Sequence, residues 1–216
     1  RNLIEIEKKI QLKMSEKPNS PDKPQVIAVS KTFPMKEILP LINHGHIHFG
    51  ENKVQETIEK WSSIKSDFEH LQLHLVGKLQ SNKVKYAVSI FDYIHSLDSL
   101  KLAQKISTEQ KKIKKNIKIF IQINIGNEDQ KNGILISEAQ NFYTKCINEF
   151  NLNIIGFMCL PPKSDNNSLY FSKMEKLLSE SKIKELSMGM SADYMEALDF
   201  KSTFLRIGSN IFGKRI

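Results

Sequence analysis

Lys31 is the residue of this 216-residue chain whose type and position point most directly to chemistry. It follows an apolar run, Val26–Val29, which lies between Pro24 and Pro34 and is typical of a buried β-strand. A lysine at the carboxyl end of such a strand can be partly desolvated, so its amine loses its proton more easily and can form a Schiff base with an aldehyde. The alternative is a lysine whose stem lies on apolar surface while its ammonium group reaches water.

Two segments of small residues near the C-terminus predict a phosphate site. Ser187–Ser191 ends an apolar strand pattern and precedes a predicted helix that starts near Ala192. Ser191 is expected to be the N-cap of that helix, whose free N–H groups would bind an anion. Gly208 follows the last predicted strand and would let the backbone approach a ligand closely, beside Ser209. Two ordinary turns built from small residues are the alternative.

Arg206 lies two residues before Gly208 and is one of only three arginines in the chain. Its guanidinium group is always charged and only donates hydrogen bonds. Placed against a pyridine nitrogen, it would keep that nitrogen unprotonated and make the ring a weaker electron sink. An arginine paired with a carboxylate is the alternative. A Schiff-base lysine, such an arginine and a phosphate cradle together predict a site for pyridoxal 5′-phosphate (PLP).

Apolar strand signals alternate along the chain with segments of helical period, which predicts a parallel sheet with right-handed crossovers. Eight such units predict an α/β fold, a single (β/α)8 barrel of the TIM type with an extra N-terminal helix. An open doubly wound sheet is the alternative, but no Gly-x-Gly-x-x-Gly follows the first strand. The predicted strands lie near 25–30, 46–50, 71–76, 92–96, 118–124, 153–158, 185–189 and 204–208. The predicted helices cover 36–43, 52–64, 82–88, 99–115, 137–150, 168–181 and 192–200.

The carboxyl ends of the strands form the working face of such a barrel, and the residues discussed above fall at those ends. The length predicts one domain, 1–216, with the polar segment 15–23 as a loop between the N-terminal helix and the first strand.

Composition argues against several classes of partner. The net charge of +8 comes from 29 lysines and only 3 arginines, whereas readers of phosphates and base edges favour arginine, so no nucleic-acid partner is expected. No apolar run reaches 18 residues, which predicts no membrane span, and the charged N-terminus is unlike a secretory signal. Two cysteines without metal-type spacing favour a cytoplasmic location. His44, His46 and His48 alternate but have no carboxylate or cysteine to complete a set, so no metal is expected.

Several motifs in a fixed order resemble those of the pyridoxal phosphate homeostasis proteins, a family that looks like the N-terminal barrel of alanine racemase standing alone. The resemblance runs from about Gln25 to Arg215. The matching segments are Ala28–Lys31, Phe49–Asn52, Val54–Glu56, His74–Gly77, Leu79–Lys83, His95–Ser96, Gly156–Met158, Leu186–Ser191 and Arg206–Gly213.

The resemblance implies that Lys31 holds PLP as a Schiff base. It implies that Ser191, Gly208 and Ser209 hold the phosphate and that Arg206 faces the pyridine nitrogen.

The resemblance also implies that Asn52 and His74 neighbour the ring or its 3′-oxygen. Lys131 matches a family lysine before Gly133 and is a candidate for a second role in handling PLP. The chain ends at 214–216 without the lysine pair that some members carry, so a role tied to that pair is not expected.

The resemblance implies a PLP carrier or buffer in intracellular PLP homeostasis that affects the balance of amino acids and keto acids, with PLP-dependent apo-enzymes as candidate recipients. Two-base racemisation needs an acid or base on each face of the substrate, and alanine racemase takes its second group, a tyrosine, from an additional β domain across a dimer interface. Here the chain stops where the barrel closes, so a non-catalytic monomer is expected. A weak racemase, or an interaction protein with a vestigial site, are the alternatives. The racemase would need one of Tyr86, Tyr93, Tyr143, Tyr170 or Tyr194.

Overall fold

A computed structural model describes residues 1–16, 23–128, 130–162 and 166–213. Most of the predicted loop 15–23 and all of the C-terminal segment 214–216 lie outside these described residues.

Eight parallel strands pair in chain order, and the barrel closes where the last strand pairs with the first. The predicted closed barrel is therefore confirmed, and the open doubly wound sheet is excluded. The strands are β1 Gln25–Val29, β2 His48–Glu51, β3 Gln72–Leu75, β4 Tyr93–Leu97, β5 Lys118–Ile123, β6 Asn153–Cys159, β7 Glu185–Met190 and β8 Phe204–Ile207.

Helices follow the strands and cover the outside of the barrel, and the predicted extra helix at the N-terminus is also confirmed. Short 3₁₀ turns lie at Ser81–Lys83, Ile136–Glu138 and Leu198–Phe200. In the described part of the chain the helices are α1 Asn2–Ser15, α2 Met35–Asn43, α3 Val54–Asp67, α4 Val84–Ile90, α5 Leu100–Lys112, α6 Ala139–Asn148, α7 Ser168–Ser179, α8 Tyr194–Ala197 and α9 Ser209–Phe212.

The barrel interior has its own small apolar cluster, separate from the larger core between strands and helices. Side chains alternate along each strand, so residues two apart on β8 both point inward. Phe204 joins Tyr93 and Phe120 in the interior cluster, and Arg206 lies one step nearer the carboxyl end. Aromatic side chains therefore fill the middle of the barrel, and polar groups such as Arg206 lie at the carboxyl end of the strands.

The last predicted helix was wrong in its start and length. Asp193, not Ser191, is the N-cap of α8, which covers only Tyr194–Ala197 before a 3₁₀ turn. The Asp193 carboxylate accepts a hydrogen bond from the backbone N–H of Met190 at 2.6 Å, and the Asp193 N–H donates to the Met190 carbonyl. Because of this closed turn the helix begins only at Tyr194, and the Ser191 side chain can contact the segment after β8.

Within the residues that the structure describes, no helix has the length and apolar character needed to cross a membrane.

Candidate functional site

A cavity of about 390 Å³ opens at the carboxyl ends of the strands, a volume within the usual range for small-molecule sites. Six of the seven predicted cofactor-binding residues line it, although the strands that carry them are far apart in the chain. These six residues are Lys31, Asn52, Ser191, Arg206, Gly208 and Ser209. Several apolar residues of the cavity lining were not predicted from the sequence, because an apolar residue at a strand end is equally typical of packing. These residues include Val29, Val76, Leu160 and Met190.

A buried carboxylate fixes the backbone just before Lys31. Glu51 is fully buried at the end of β2, and its Oε1 accepts hydrogen bonds from Ser30 Oγ at 2.7 Å, Lys60 Nζ at 3.0 Å and Trp61 Nε1 at 3.0 Å. Lys60 Nζ also donates to the Ser30 carbonyl at 3.0 Å. Because Ser30 is held through both its side chain and its backbone, the partly exposed Lys31 starts from a rigid position at the cavity.

The residue after Lys31 carries backbone strain. Thr32 has φ of 69°, in the left-handed region that β-branched residues rarely adopt. Its N–H donates to Glu56 Oε1 at 3.0 Å, and the Phe33 N–H donates to the Ser30 carbonyl at 3.1 Å. The chain thus turns sharply at Lys31 and leaves the lysine at the rim of the barrel.

Arg206 is almost completely buried, with 4 % exposure, and lies at the base of the cavity. Its NH1 donates to the carbonyl and the hydroxyl of Ser187, both at 2.6 Å, and its NH2 donates to the Cys159 carbonyl at 2.8 Å. Burial lowers the pKa of the guanidinium, while Cys159 and Asp193 act in the opposite direction. All of these hydrogen-bond acceptors are neutral groups. Within the described residues, the guanidinium group is therefore a buried cation at the cavity that forms no ion pair with a carboxylate.

Ser191 bridges the turn after β7 and the segment after β8. Its Oγ accepts hydrogen bonds from the backbone N–H groups of Gly208 at 3.2 Å and Asn210 at 3.4 Å, and its carbonyl accepts from Asn210 Nδ2 at 2.8 Å. Backbone donors and serine hydroxyls therefore converge at this side of the cavity, where an anion could replace Ser191 Oγ as their acceptor.

Asn52 reaches the cavity because Gly77 allows a close approach. A Cβ atom on Gly77 would lie 2.8 Å from Asn52 Cα and 2.9 Å from its carbonyl carbon. Backbone cannot move aside as a flexible side chain can, so glycine is required where β3 leaves the barrel. The loops after β2 and β3 are thereby packed together at the rim.

His74 does not line this cavity. Its ring is fully buried inside the barrel, where its Nε2 lies 2.9 Å from His48 Nδ1 and its Nδ1 lies 3.0 Å from His95 Nε2. It also stacks on Tyr93 with ring centroids 4.1 Å apart. Any effect of His74 on a ligand in the cavity therefore has to pass through other residues.

The three buried histidines predict acid-sensitive stability. Burial lowers the pKa of His48 to about 4 and lowers those of His74 and His95 well below the ordinary 6.5. In the unfolded chain these rings take up protons as the pH falls through about 6.5, whereas in the folded protein they stay neutral. Because the unfolded state then binds more protons, the stability is complete above pH 6.5 and falls as the pH drops toward 4.

We expect urea unfolding at pH 5.5 to give a free energy of unfolding lower than at pH 7.5 by about 1 kcal/mol for each of the three rings. The exposed His70 offers a matched control, since His70→Gln should leave this pH dependence unchanged. Equal stability at the two pH values would contradict the buried, neutral state of these rings.

The remaining expectations concern sites outside the cavity. No group of three or more His, Cys, Asp or Glu side chains in the described residues is arranged to hold a metal ion. His48 points into the barrel toward His74, whereas His46 bonds to the His48 carbonyl, so the alternating histidines are divided between different contacts. Lys131 forms an ion pair with Glu128 and is not among the lining residues of the cavity.

Comparison with known proteins gives the same family as the motifs. The family model of the alanine racemase N-terminal domain matches residues 6–215. The pyridoxal phosphate homeostasis protein of Pasteurella multocida is 35% identical over 99% of this chain and 96% of its own length. The Escherichia coli K12 protein of the same name is 31% identical over 99% of this chain and 95% of its own length.

Solved structures agree with this assignment. PipY of Synechococcus elongatus, in a structure without PLP, is 32% identical and superposes with a TM-score of 0.83 over 94% of this chain and all of that one. A PLP-bound structure of the same protein gives a TM-score of 0.79 at 31% identity, with the same coverage of both chains. An alanine racemase of Clostridium difficile shares the fold, with a TM-score of 0.71 at 16% identity over 95% of this chain and 56% of that one. The chain belongs to the alanine racemase N-terminal domain family, among the pyridoxal phosphate homeostasis proteins.

Proposed function

We propose that this protein binds PLP in the cavity at the carboxyl ends of its strands, as a Schiff base on Lys31, and acts as a carrier or buffer of this reactive aldehyde. The observation that carries the proposal is that Lys31, the buried Arg206 and two small residues, Ser191 and Gly208, line one cavity. The Ser191 hydroxyl and the Gly208 backbone N–H supply hydrogen bonds there. Full-length relatives named pyridoxal phosphate homeostasis proteins and a PLP-bound PipY structure support it.

The residues present fit PLP in size and chemistry. Gly208 has a negative φ of −116°, and a Cβ atom there would meet Val29 only at ordinary distances of 3.4 and 3.6 Å. The protein's own packing therefore does not demand glycine, whereas a ligand lying against this backbone would. In the proposed site Gly208, Ser209 and Ser191 hold the phosphate, and Asn52 lies beside the ring.

Lys31 and Arg206 have complementary roles in this proposal. The neutral amine of Lys31 forms a C=N bond with the aldehyde carbon, and the aldehyde oxygen leaves as water, while solvent takes the proton lost by the ammonium group. Arg206, which can only donate, faces the pyridine nitrogen and keeps it unprotonated. Bound PLP would supply an electron-withdrawing ring, which this arginine weakens as an electron sink.

A carrier fits the cavity better than a racemase because the described residues of its lining offer no second acid or base besides Lys31. All five tyrosines of the chain are described, and none of them lines the cavity. Tyr93, for example, lies inside the barrel and accepts a hydrogen bond from Lys118 Nζ at 3.0 Å. Lys31 could serve one face of a substrate, but no tyrosine serves the other.

Chirality measurements test the carrier proposal. PLP-loaded protein is incubated separately with L- and D-alanine and with other amino acids, and the enantiomer ratio is followed by chiral chromatography. We expect no racemisation above that produced by the same concentration of free PLP. Turnover well above that background, lost in Lys31→Ala, would contradict the carrier and favour the racemase.

Five further features stay predictions of the same account. We propose that the whole chain, 1–216, is one PLP-binding domain, that it acts as a monomer in the cytoplasm, and that it influences the balance of amino acids and keto acids. We also propose PLP-dependent apo-enzymes as recipients of the cofactor. The two free, buried cysteines are consistent with a reducing compartment.

A further inference from the structure

A continuous line of hydrogen bonds crosses the barrel interior from its amino end to the proposed PLP cavity. His48, the first residue of β2, contacts His74, which contacts His95. His95 Nδ1 lies 2.8 Å from Ser187 Oγ, and that hydroxyl lies 2.6 Å from Arg206 NH1. We call this set of five residues the histidine chain.

Arg206 determines which group is the donor and which is the acceptor in every hydrogen bond of the histidine chain. A guanidinium group only donates, so Ser187 Oγ accepts from Arg206 and has its single hydrogen left to give. Its other recorded partner is His95, so the hydroxyl donates to His95 Nδ1. If every hydrogen bond of the histidine chain had the opposite direction, the buried hydroxyl hydrogen of Ser187 would have no acceptor in the described structure. An unsatisfied buried donor costs about 1–3 kcal/mol.

The same logic fixes the tautomer of each histidine. His95 accepts at Nδ1, so its proton lies on Nε2 and is donated to His74 Nδ1. His74 in turn donates from Nε2 to His48 Nδ1, which leaves the His48 proton on Nε2. All three rings are therefore neutral, and all three carry the proton on Nε2.

Aromatic residues of the interior apolar cluster hold the His74 and His95 rings in the orientations that the histidine chain requires. His74 stacks on Tyr93 with 14° between the ring planes, and His95 stacks on Phe120 with 16° between the planes and 4.3 Å between the centroids. Phe204 contacts both histidine rings at their edges or at a tilt. The rings are thus held in place by packing, and reversing one bond would require reversing all of them.

We propose that Ser187, His95, His74 and His48 are positioning residues for Arg206: their one-way hydrogen-bond chain holds its guanidinium group in one orientation, with its remaining donors toward the cavity. This inference deepens the proposed function. The part of it that concerns PLP binding rests on that function. The direction of the chain itself can be measured without any cofactor.

Nitrogen NMR of the full chain without added PLP tests the direction. Two-bond ¹⁵N–¹H correlation spectra of histidine-labelled protein distinguish the two neutral tautomers and the cation. At pH 7 we expect His48, His74 and His95 each to carry the proton on Nε2. Finding the proton on Nδ1 in His48, His74 or His95, or finding any of them as a cation, would overturn the proposal even if PLP binds as proposed.

Substitutions at Ser187 test the link to Arg206. Ser187→Ala removes the hydroxyl that donates to His95 Nδ1, so we expect the His95 Nδ1 signal to shift and PLP to bind about 3- to 10-fold more weakly with a shifted absorption maximum. Ser187→Thr keeps the hydroxyl and should restore the His95 Nδ1 signal and the spectrum. Ser96→Ala is the matched control, because Ser96 is a buried β4 serine whose hydroxyl has no hydrogen-bond partner in the described residues.

An unchanged His95 Nδ1 signal together with an unchanged spectrum in Ser187→Ala would overturn the proposal. If the wild-type protein failed to bind PLP at all, the proposed function would fail, but the tautomers of the wild-type protein would still decide the direction of the histidine chain.

Discussion

Lys31→Ala is expected to give a folded protein that is colourless after PLP has been added and unbound PLP has been removed by gel filtration. The wild-type protein should stay yellow after the same step, because a Schiff base absorbs in the visible range and the covalent bond retains the cofactor. Lys31 is partly exposed, so its removal should change the free energy of unfolding by no more than about 0.5 kcal/mol. Loss of the covalent bond should weaken PLP binding by at least about 100-fold, measured by equilibrium dialysis.

Lys36→Ala is the matched control for this experiment. Lys36 is an exposed lysine on α2, five residues further along the chain and outside the cavity lining. We expect this variant to bind PLP and to colour as the wild-type protein does. Visible absorbance that persists in Lys31→Ala would show that another amine carries the cofactor, and the proposed role of Lys31 would be wrong.

Arg206→Glu is expected to have the largest effect on stability. It would place a carboxylate beside the carbonyl oxygens of Ser187 and Cys159, which now accept hydrogen bonds from the guanidinium group. An uncompensated buried charge of this kind costs about 3–5 kcal/mol. Urea unfolding at pH 7.5 measures this loss, and Arg1→Glu, at an arginine whose side chain is 91% exposed, should change stability by less than about 1 kcal/mol.

The same variant should change the cofactor spectrum. Without a donor-only partner the pyridine nitrogen can be protonated, which makes the ring a stronger electron sink and shifts its absorption. PLP should also bind at least about 10-fold more weakly. Arg206→Lys keeps a charge but not the planar pair of donors, so it should give an intermediate spectrum. Should Arg206→Glu bind PLP with unchanged affinity and spectrum, Arg206 does not face the ring.

The sequence predicted the barrel well because its strands carry strong local signals. All eight predicted strands overlap the observed ones, and segments such as Ile119–Ile123 are apolar runs that pair on both sides within the closed sheet. Six of the seven predicted site residues line one cavity, as expected from the general rule that such barrels work at the carboxyl ends of their strands.

What the sequence could not predict depends on side-chain contacts between distant segments. Ser191 was expected to begin a helix, but the competing carboxylate of Asp193 closes a turn first. His74 was expected beside the cofactor, yet its ring points below the cavity and bonds to two other histidines. The spacing of Tyr93 and His95 on β4 could have indicated an inward-facing histidine, because residues two apart share one face of a strand.

Borohydride reduction followed by peptide mapping is the measurement that tests the central claim most directly. Reduction of the PLP-loaded wild-type protein converts a Schiff base into a stable secondary amine, which mass spectrometry can assign to a single lysine. The account predicts one major phosphopyridoxyl group per chain, on Lys31. A modification on another lysine, or no modification above that of the urea-unfolded protein, would contradict it.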